Sequence, residues 1–328
     1  MGSGRRRDGE PYHFLHAASV DRSHFSAFPS LPTLRGDVWY EDLTFAANAL
    51  RHFRLTKFDV TLACSYPWVN WLLRLPRLPG SRPPHVFVTQ NGDWPAYAQQ
   101  REYRFFGCDG LICTNPDFYE RNSDRWRSAL IPNGVDLERF RPGPSGREEF
   151  KLPPDRSIIL MASALISSKR VETGIEAVSH IPDAHLVVAG DGPLRRVIEK
   201  RAAALLPDRF TRLSIAPDRM PFLYRSADVF LHLAKEESFG NVFVEALACG
   251  LPIVAIETRR TRWIVGDDEF LLDSDDPLTI SRGIQQARNA SLQHERRAAK
   301  AAPFSWSKVA QQYEQFLREI VEIHRASH

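Results

Sequence analysis

Short apolar runs alternate with amphipathic stretches throughout the second half of this 328-residue chain, and this alternation constrains the fold more than any other feature. Apolar runs of this length suit strands buried on both faces, and the stretches between them have helical spacing. In chain order they are "SIILMASA", 171–180, "AHLVVAG", "PLRRVIEKRAAALL", "DVFLHLA", 241–249, "PIVAI", "EFLLD" and 277–289. Strands that alternate with helices form a parallel sheet covered on both sides. We therefore predict an α/β fold with a Rossmann-like domain in this half.

The first half shows the same alternation less clearly. Its strand candidates are "YHFLHAA", "FDVTLACS", "PHVFVTQ", "DGLICT" and "ALIP", and its helical candidates are 42–53 and 95–104. This pattern predicts a second, smaller α/β domain. Between the halves, "RFRPGPSGREEFKLPPDR" concentrates Pro, Gly and charge, as exposed connections do. We place the boundary near residue 145, which gives domains 1–145 and 146–305.

The end of the chain, 306–328, has apolar residues at the spacing of one helical face. They are Val309, Tyr313, Phe316, Leu317, Ile320 and Val321. Because such a face needs a partner, we predict a final helix that packs back onto the preceding domains.

Composition narrows the possible functions. Hydrophobic residues make up 43% and charged residues 25%, the proportions of a folded protein. The net charge of +3 is too small to indicate nucleic acid as a partner. The four cysteines form no C-x-x-C pair and the histidines are scattered, so we expect no metal site. No apolar run is long enough to span a bilayer and no signal core follows the basic start, so we expect a cytoplasmic protein.

The stretch "EESFGNVFVEALACGLPIVA", at 236–255, combines two glutamates with a glycine that opens a helix. Its loop follows a predicted strand, at the sheet edge where open α/β sheets bind ligands. The first N–H groups of a helix lack internal partners and favour an anion such as a diphosphate. Glu245 lies one turn past Asn241 and leans toward the same end, while Glu237 approaches from the loop. Ionised carboxylates are good acceptors for the paired hydroxyls of a sugar or ribose.

An ordinary explanation competes with a binding role. Glu245 would then only complement the helix dipole, which contributes about 0.3–1 kcal/mol, and Glu237 would be a solvated loop residue. Taken singly, each residue fits this alternative. Their combined spacing favours a binding site.

The same stretch resembles the E-x7-E signature of the retaining family-4 glycosyltransferases, which have the GT-B fold of two Rossmann-like domains facing across a cleft. The resemblance covers about residues 85–325 and includes "LIPNGVDLERFRP", "ALISSKRVETGIEAV", "LVVAGDGPLR", "MPFLYRSADVFLHLA" and "FSWSKVAQQYEQFL". It implies an acceptor-binding N-terminal domain, shortened here, and a C-terminal domain that binds a nucleotide sugar. It also implies that the last helix crosses back to the N-terminal domain.

The resemblance further implies individual roles. Glu237 would contact hydroxyls of the donor sugar, Glu245 the nucleotide ribose, and the amides of 239–242 the diphosphate and sugar. Lys169 would pair with the departing diphosphate, although alone it fits a solvated loop lysine equally well. These three side chains are the predicted catalytic residues. The predicted donor-binding residues are Lys169, Arg170, Gly190, Glu237, Ser238, Phe239, Gly240, Asn241, Val242 and Glu245.

Two other motifs suggest a different function, namely a nicotinamide cofactor or a metal site. "GDGPLR" begins like a dinucleotide fingerprint, but Arg195 stands at its third glycine position and the motif lies mid-chain, so we expect no nicotinamide cofactor. "LLDSDDP" contains an Asp-x-Asp that leads directly into a helix near Pro277, so acidic capping explains it better than a metal.

The chain departs from the family at three places. Ala164 stands near the position of a usual arginine, for which Arg170 or Arg195 could substitute. Gln90 stands where a histidine is common, and a glutamine cannot shuttle protons near neutral pH. "HFLHAASVDRSHFSAFPS" lacks the usual glycine-rich loop. On the acceptor side the candidates are Gln90, Asn91 and Asp93.

The resemblance therefore implies a retaining hexosyltransferase, which we expect to be metal-independent and to need no cofactor besides its UDP- or GDP-sugar donor, with a sugar, glycan or lipid-linked acceptor. In that route the leaving phosphate accepts the acceptor proton. The contrary hypothesis is a catalytically weak GT-B subunit that binds a nucleotide or supports a partner transferase.

Residues 66–78 allow two interpretations. Trp68, Trp71, Leu72 and Leu75 lie among Arg74 and Arg77, which suits peripheral contact with the inner membrane surface or a lipid-linked acceptor. Such a run is more often a core helix with an arginine rim.

Overall fold

The computed structural model describes residues 16–31, 34–52, 58–75, 82–267, 269–290 and 293–327. They form two compact units. Unit 1 contains the described residues up to Ile131 together with those from Gln312 onward, and unit 2 is Pro132–Gln311.

Unit 1 contains a parallel sheet whose described strands follow the order β1-β2-β3-β4. Its regular elements are α1 Asp37–His52, β1 Thr61–Ala63, α2 Trp68–Arg74, β2 His85–Val88, β3 Gly110–Cys113, α3 Pro116–Asn122 and β4 Ser128–Leu130. Short 3-10 turns occupy Arg22–Phe25, Thr89–Asn91 and Trp94–Tyr97. The four predicted strands of this half that lie wholly within the described residues are confirmed. The candidate "YHFLHAA" lies mostly outside them.

Unit 2 contains a parallel sheet whose described strands follow the order β10-β9-β8-β5-β6-β7. Its strands are β5 Ser157–Ala162, β6 Ala184–Ala189, β7 Phe210–Leu213, β8 Val229–His232, β9 Ile253–Ile256 and β10 Phe270–Leu272. Its helices are α4 Val171–Ser179, α5 Arg195–Leu205, α6 Met220–Ser226, α7 Asn241–Ala248, α8 Arg259–Val265, α9 Pro277–Asn289 and α10 His294–Lys300. Further 3-10 turns occupy Ser167–Lys169 and Ala302–Phe304, and α11 Trp306–Ala326 begins in unit 2 and ends in unit 1.

Two apolar layers cover the sheet of unit 2, one on each face. Because side chains of a strand alternate between faces, β5 contributes Ile158 and Leu160 to one layer and Ile159 and Met161 to the other. All four are almost fully buried. This burial explains why the strands appear in the sequence as continuous apolar runs. The predicted strands and helices of this half are confirmed, and β7, α6, α8 and α10 were not predicted.

The last helix follows the predicted apolar face. Val309, Phe316 and Ile320 are its buried residues. In unit 1, Ile320 lies against Gly110, where an added Cβ would stand 2.8 Å from its side chain. A larger residue at Gly110 would force the Ile320 side chain to move, so the glycine in β3 permits this close approach.

Residues 95–104 do not form the predicted helix. The chain instead makes a 3-10 turn at Trp94–Tyr97 and then a series of turns, with hydrogen bonds three residues apart such as Tyr103 N to Gln100 O at 3.0 Å. Tyr97 and Phe105 remain exposed, so the aromatic spacing in this stretch does not mark one buried helical face.

The Pro/Gly-rich stretch before β5 packs onto unit 2 and is not a free connection. Phe140 and Leu152 are buried in it, and Arg147 forms an ion pair with Asp228 at 2.6 Å. The chain passes from unit 1 to unit 2 after Ile131, ahead of the predicted boundary at 145, and returns after Gln311, beyond the predicted 305. Composition marked the stretch as irregular, but long-range pairing assigns it to unit 2.

The described part of 66–78 is a core helix. Leu72 and Leu73 of α2 are buried, while Trp68 and Trp71 pack against apolar clusters of unit 1. Arg77 lies outside the described residues. The core-helix interpretation is therefore the one that these contacts support.

Candidate functional site

The loops after β5 and β8 meet at the carboxyl edge of the sheet in unit 2. The chain runs outward from β5 to β6 and β7, then returns to place β8 on the other side of β5. Ligands of open α/β sheets bind where the strand order reverses in this way. Lys169, after β5, and Glu237, after β8, form an ion pair through Nζ and Oε1. Two predicted site residues from distant parts of the sequence are thus in contact.

The start of α7 presents its backbone at this edge. Gly240 has φ +96°, a left-handed conformation that favours glycine, and no side chain caps the helix there. Phe239 is buried, and its ring packs near Trp263 and Phe304. Because this ring is fixed in the core, the backbone of 239–242 is held in place at a helix start that suits an anion.

Glu237 is strongly favoured in its ionised form. Burial alone would raise the pKa of its carboxyl group, but hydrogen bonds from His232 and Lys169 outweigh burial and lower that pKa to about 2. The His232 Nε2 atom lies 3.0 Å from Glu237 Oε1. His232, at the end of β8, was not among the predicted site residues.

Glu245 has the opposite electrostatic environment. Burial raises the pKa of its carboxyl group, although the Tyr224 hydroxyl donates a hydrogen bond to Oε2 at 2.8 Å. Tyr224 is fully buried, so this bond fixes the direction of the carboxylate. The two glutamates of the signature thus differ: one is held ionised, and the other is easier to protonate.

A second group of charges lies beside the first. Arg170 Nη2 donates to Asp275 Oδ2 at 2.5 Å, and Lys235 Nζ lies 2.9 Å from the same oxygen. These pairs connect the loop after β5 with the loops that precede α7 and α9. Arg195, the other suggested substitute for the missing arginine, instead pairs with Glu199 at 3.0 Å on α5. Ala164, at the position of that arginine, is exposed.

Gly190 permits the ends of β5 and β6 to approach closely. A Cβ added there would lie 1.9 Å from the Ser163 carbonyl oxygen, which no side chain could tolerate. Gly190 is therefore required by the backbone packing at this sheet edge, and its predicted contact with the donor stays a prediction. Asp276, which directly follows the Asp-x-Asp motif, caps α9 by accepting from Thr279 N at 2.8 Å, whereas Asp275 of the motif pairs with Arg170 and Lys235.

The acceptor-side candidates lie in unit 1, after β2. Gln90 is exposed, and Asn91 Nδ2 donates to Cys64 O at 3.2 Å. Asp93 is buried, and its carboxylate accepts hydrogen bonds from Arg121 and Asn122, each at 2.7 Å. Its carboxylate therefore joins the loop to α3, an anchoring role that the sequence did not predict.

Tyr224, Asp275 and His232 are the site neighbours that the sequence analysis missed. Asp275 stands in a stretch that predicts an acidic helix cap and His232 in a predicted buried strand, while Tyr224 lies on α6, which was not predicted. Within the described ranges, no group of three or more His, Cys, Asp or Glu side chains is placed to hold a metal. In the same ranges, no helix combines the length and apolarity needed to cross a bilayer.

Comparison with protein families and with proteins of known function gives a consistent picture. The family described as "Glycosyl transferases group 1" matches residues 144–303. A GDP-mannose-dependent alpha-(1-6)-phosphatidylinositol dimannoside mannosyltransferase of Mycobacterium tuberculosis is 30% identical over 213 residues, 62% of this chain and 55% of the relative. The lipopolysaccharide core biosynthesis glycosyltransferase LpsE of Rhizobium meliloti is 26% identical over 87% of this chain and 77% of its own length. The chain thus spans only about half the length of the mycobacterial relative.

Solved structures show the fold. Sucrose-phosphate synthase of Thermosynechococcus elongatus superposes with a TM-score of 0.73 and 24% identity, covering 85% of this chain and 78% of that one. HepE of Anabaena, in complex with UDP and glucose, gives a TM-score of 0.67 and 18% identity over 84% and 81% of the two chains. The chain therefore has the two-domain α/β fold called GT-B.

Proposed function

We propose that this chain is a retaining glycosyltransferase that moves a hexose from a UDP- or GDP-sugar to an acceptor hydroxyl, since residues 144–303 match the family described as glycosyl transferases group 1. The observation that carries this proposal is the Lys169–Glu237 pair beside the uncapped start of α7. An ammonium group, a hydroxyl-binding carboxylate and a helix start meet there at one sheet edge.

The donor diphosphate would lie against the amides of 239–242. The partial positive charge of the helix start and the ammonium of Lys169 both favour phosphate oxygens. As the bond between the sugar and the diphosphate breaks, negative charge grows on the leaving group. Fixed positive groups at that point stabilise the transition state more than the ground state.

The two glutamates would hold the hydroxyl groups at either end of the donor. Glu237 remains ionised and accepts from hydroxyls of the sugar, while Glu245, fixed by Tyr224, accepts from the ribose. The attacking acceptor hydroxyl gives its proton to the departing phosphate on the same face, and this front-side route retains the anomeric configuration. No protein base is required, which agrees with Gln90 in unit 1 being unable to shuttle protons.

Arg170 would provide the positive charge that Ala164 lacks. Its guanidinium is bound to the exposed carboxylate of Asp275, and exposed ion pairs contribute little to stability. A diphosphate could therefore compete with that carboxylate for Arg170. Since Lys169, Arg170 and the helix start supply positive charge, we propose that transfer needs no metal, and activity in excess EDTA should equal activity without it.

A lipid-linked acceptor is the acceptor class that we favour. The mycobacterial relative is named for a phosphatidylinositol substrate, and the R. meliloti relative for lipopolysaccharide core synthesis. In unit 1, Leu75 and Phe105 expose about half of their surface, and Arg104 lies 4.6 Å from the Phe105 ring. Apolar groups beside arginines suit the surface of an anionic membrane. Sedimentation with anionic liposomes tests this contact, and Phe105→Ala should reduce binding.

The decisive experiment for function uses a panel of sugar nucleotides with the purified protein. Thermal unfolding identifies the donor first, since a ligand at about 100 times its Kd adds ~2.7 kcal/mol of stability. Transfer to acceptor extracts, followed by NMR of the product anomer, then tests retention. Inversion of the anomer would contradict the proposed route. Nucleotide binding without transfer to any acceptor would favour the alternative of a catalytically weak binding subunit.

A further inference from the structure

His232 occupies an unusual position for a histidine. It is the last residue of β8, in a run that is otherwise apolar, and only 2% of its surface is exposed. A polar group buried in this way is costly unless it forms a hydrogen bond. Its Nε2 atom forms that bond with Glu237 Oε1 at 3.0 Å.

The imidazole ring is fixed by aromatic neighbours. It meets the ring of Phe243, on α7, edge to face with 4.9 Å between centroids, and it stacks on Phe230 of β8 at 6.2 Å. The position of Nε2 is therefore set by the strand and by the helix of the site together. Because Glu237 is ionised and can only accept, Nε2 must carry the proton of this bond.

Both described donors to Glu237 act on one oxygen. Lys169 Nζ and His232 Nε2 each bind Oε1, and within the described residues neither of them binds Oε2. Two donors from different directions restrict rotation of the carboxylate. The second oxygen is then available to a ligand hydroxyl in a fixed orientation.

We propose that His232 is a positioning residue that orients Glu237 for the hydroxyl groups of the donor sugar. This inference rests on the proposed function and goes beyond it, because it assigns selectivity for the sugar over the bare nucleotide to a buried strand residue. His232 acts through Glu237 and does not touch the donor.

His185 provides a matched control. It lies on β6 of the same sheet, is 5% exposed, and bonds Thr211 Oγ1 through Nε2 at 2.8 Å. It resembles His232 in burial and bonding, but its hydrogen-bond partner, Thr211, is not a predicted site residue. A purely structural role would make His185→Leu and His232→Leu equivalent in their effects on binding.

The test measures the affinity of each variant by calorimetry for the sugar nucleotide that binds best and for its nucleoside diphosphate. We expect His232→Leu to weaken the affinity for the sugar nucleotide about tenfold, or ~1.4 kcal/mol. The affinity for the nucleoside diphosphate should change less than about threefold. His232→Gln, whose amide N–H can take the place of Nε2, should restore most of the affinity. His185→Leu should leave the ratio of the two affinities unchanged.

A double-mutant cycle completes the test. In a Glu237→Ala background, His232→Leu should add no further loss of sugar-nucleotide affinity, since a positioning residue has nothing left to position. Equal losses for both ligands, or an additional loss in that background, would overturn the inference. If His232→Leu does not fold, His232→Asn replaces it, because the shorter amide does not reach Glu237. Failure of the wild-type protein to bind any sugar nucleotide would instead refute the proposed function.

Discussion

The two units of this molecule differ in how the charged side chains of the loops after their parallel strands are paired and exposed. In unit 2, Lys169 and Glu237 connect two loops through side chains that remain partly exposed. In unit 1, Asp93 after β2 is buried and bound to Arg121 and Asn122. Both loops contain polar residues in the place where α/β sheets bind ligands. Only the unit 2 loops keep their charged groups within reach of a ligand.

The difference shows that position in a fold does not by itself make a binding site. A carboxylate whose oxygens already accept hydrogen bonds from buried protein groups stabilises a loop. A partly exposed ion pair, by contrast, can exchange one of its two partners for a ligand. This distinction separates Glu237 from Asp93, although both were candidate site residues on sequence grounds. The following substitutions test it.

The largest effect is expected for Lys169→Ala. Loss of a fixed positive charge at the leaving diphosphate should reduce kcat/KM by about 100- to 1000-fold, the range seen when one transition-state donor is removed. Steady-state kinetics with the best donor measures this change. Lys200→Ala, an exposed lysine on α5, is the control and should leave kcat/KM within about twofold. Equal kinetics for both variants would mean that the unit 2 pair is only structural.

Asp93→Ala should affect stability and not donor binding. Removing this buried carboxylate takes away the acceptor of Arg121 Nε and one of the two acceptors of Asn122 Nδ2, at a cost of about 1.5–3 kcal/mol in the free energy of unfolding. Urea denaturation measures the loss, and calorimetry should show unchanged donor affinity. If the variant is as stable as wild type but binds the donor more weakly, Asp93 contributes to donor binding and not to the stability of its loop, which would contradict the comparison.

The alternation of apolar runs and amphipathic stretches predicted the sheet of unit 2 well, because its strands are buried on both faces. The pattern did not reveal α8 or α10, each of seven residues, since such short helices show barely two turns of periodicity. It failed at 95–104, where the aromatic residues are divided between the core and the surface. Local spacing cannot foretell that division, which depends on tertiary packing.

The site was predictable to a similar extent. Glu237 and Glu245 stand out by their spacing around a helix start that follows a predicted strand, and Lys169 stands out through the resemblance of its loop to the family. His232 and Tyr224 do not, because a polar residue in an apolar run looks like core, and only the folded chain brings it to its carboxylate. Asp93 was predicted as an acceptor-side residue but anchors its loop instead, because its hydrogen-bond partners lie on α3, which only the folded chain brings close.

A smaller effect is expected from pH. The folded pKa of Glu237, about 2, lies below its ordinary value of 4.5, so its ionised form stabilises the folded state at pH 7. That contribution is fully present above pH 4.5 and is lost as the pH falls through about 2. The difference in unfolding free energy between wild type and Glu237→Gln, on the order of 1 kcal/mol, should therefore shrink in this window. Denaturation at a series of pH values measures it, and a constant difference would contradict the pairing.

Glu245 should respond in the opposite sense. Because its pKa is raised by burial, it takes up a proton at a higher pH than Glu237 does. The loss of donor affinity caused by Glu245→Gln should diminish as the pH is lowered from 7 to 4.5, the ordinary pKa of a glutamate, whereas the loss caused by Glu237→Gln should persist. Calorimetry at both pH values distinguishes the two carboxylates.

A crystal structure with the best-binding sugar nucleotide tests the central claim most directly. We expect the diphosphate at the amides of 239–242 beside Lys169, with a sugar hydroxyl on Glu237 and the ribose on Glu245. A nucleotide bound away from the carboxyl edge of the unit 2 sheet, with the Lys169–Glu237 pair untouched, would contradict the claim.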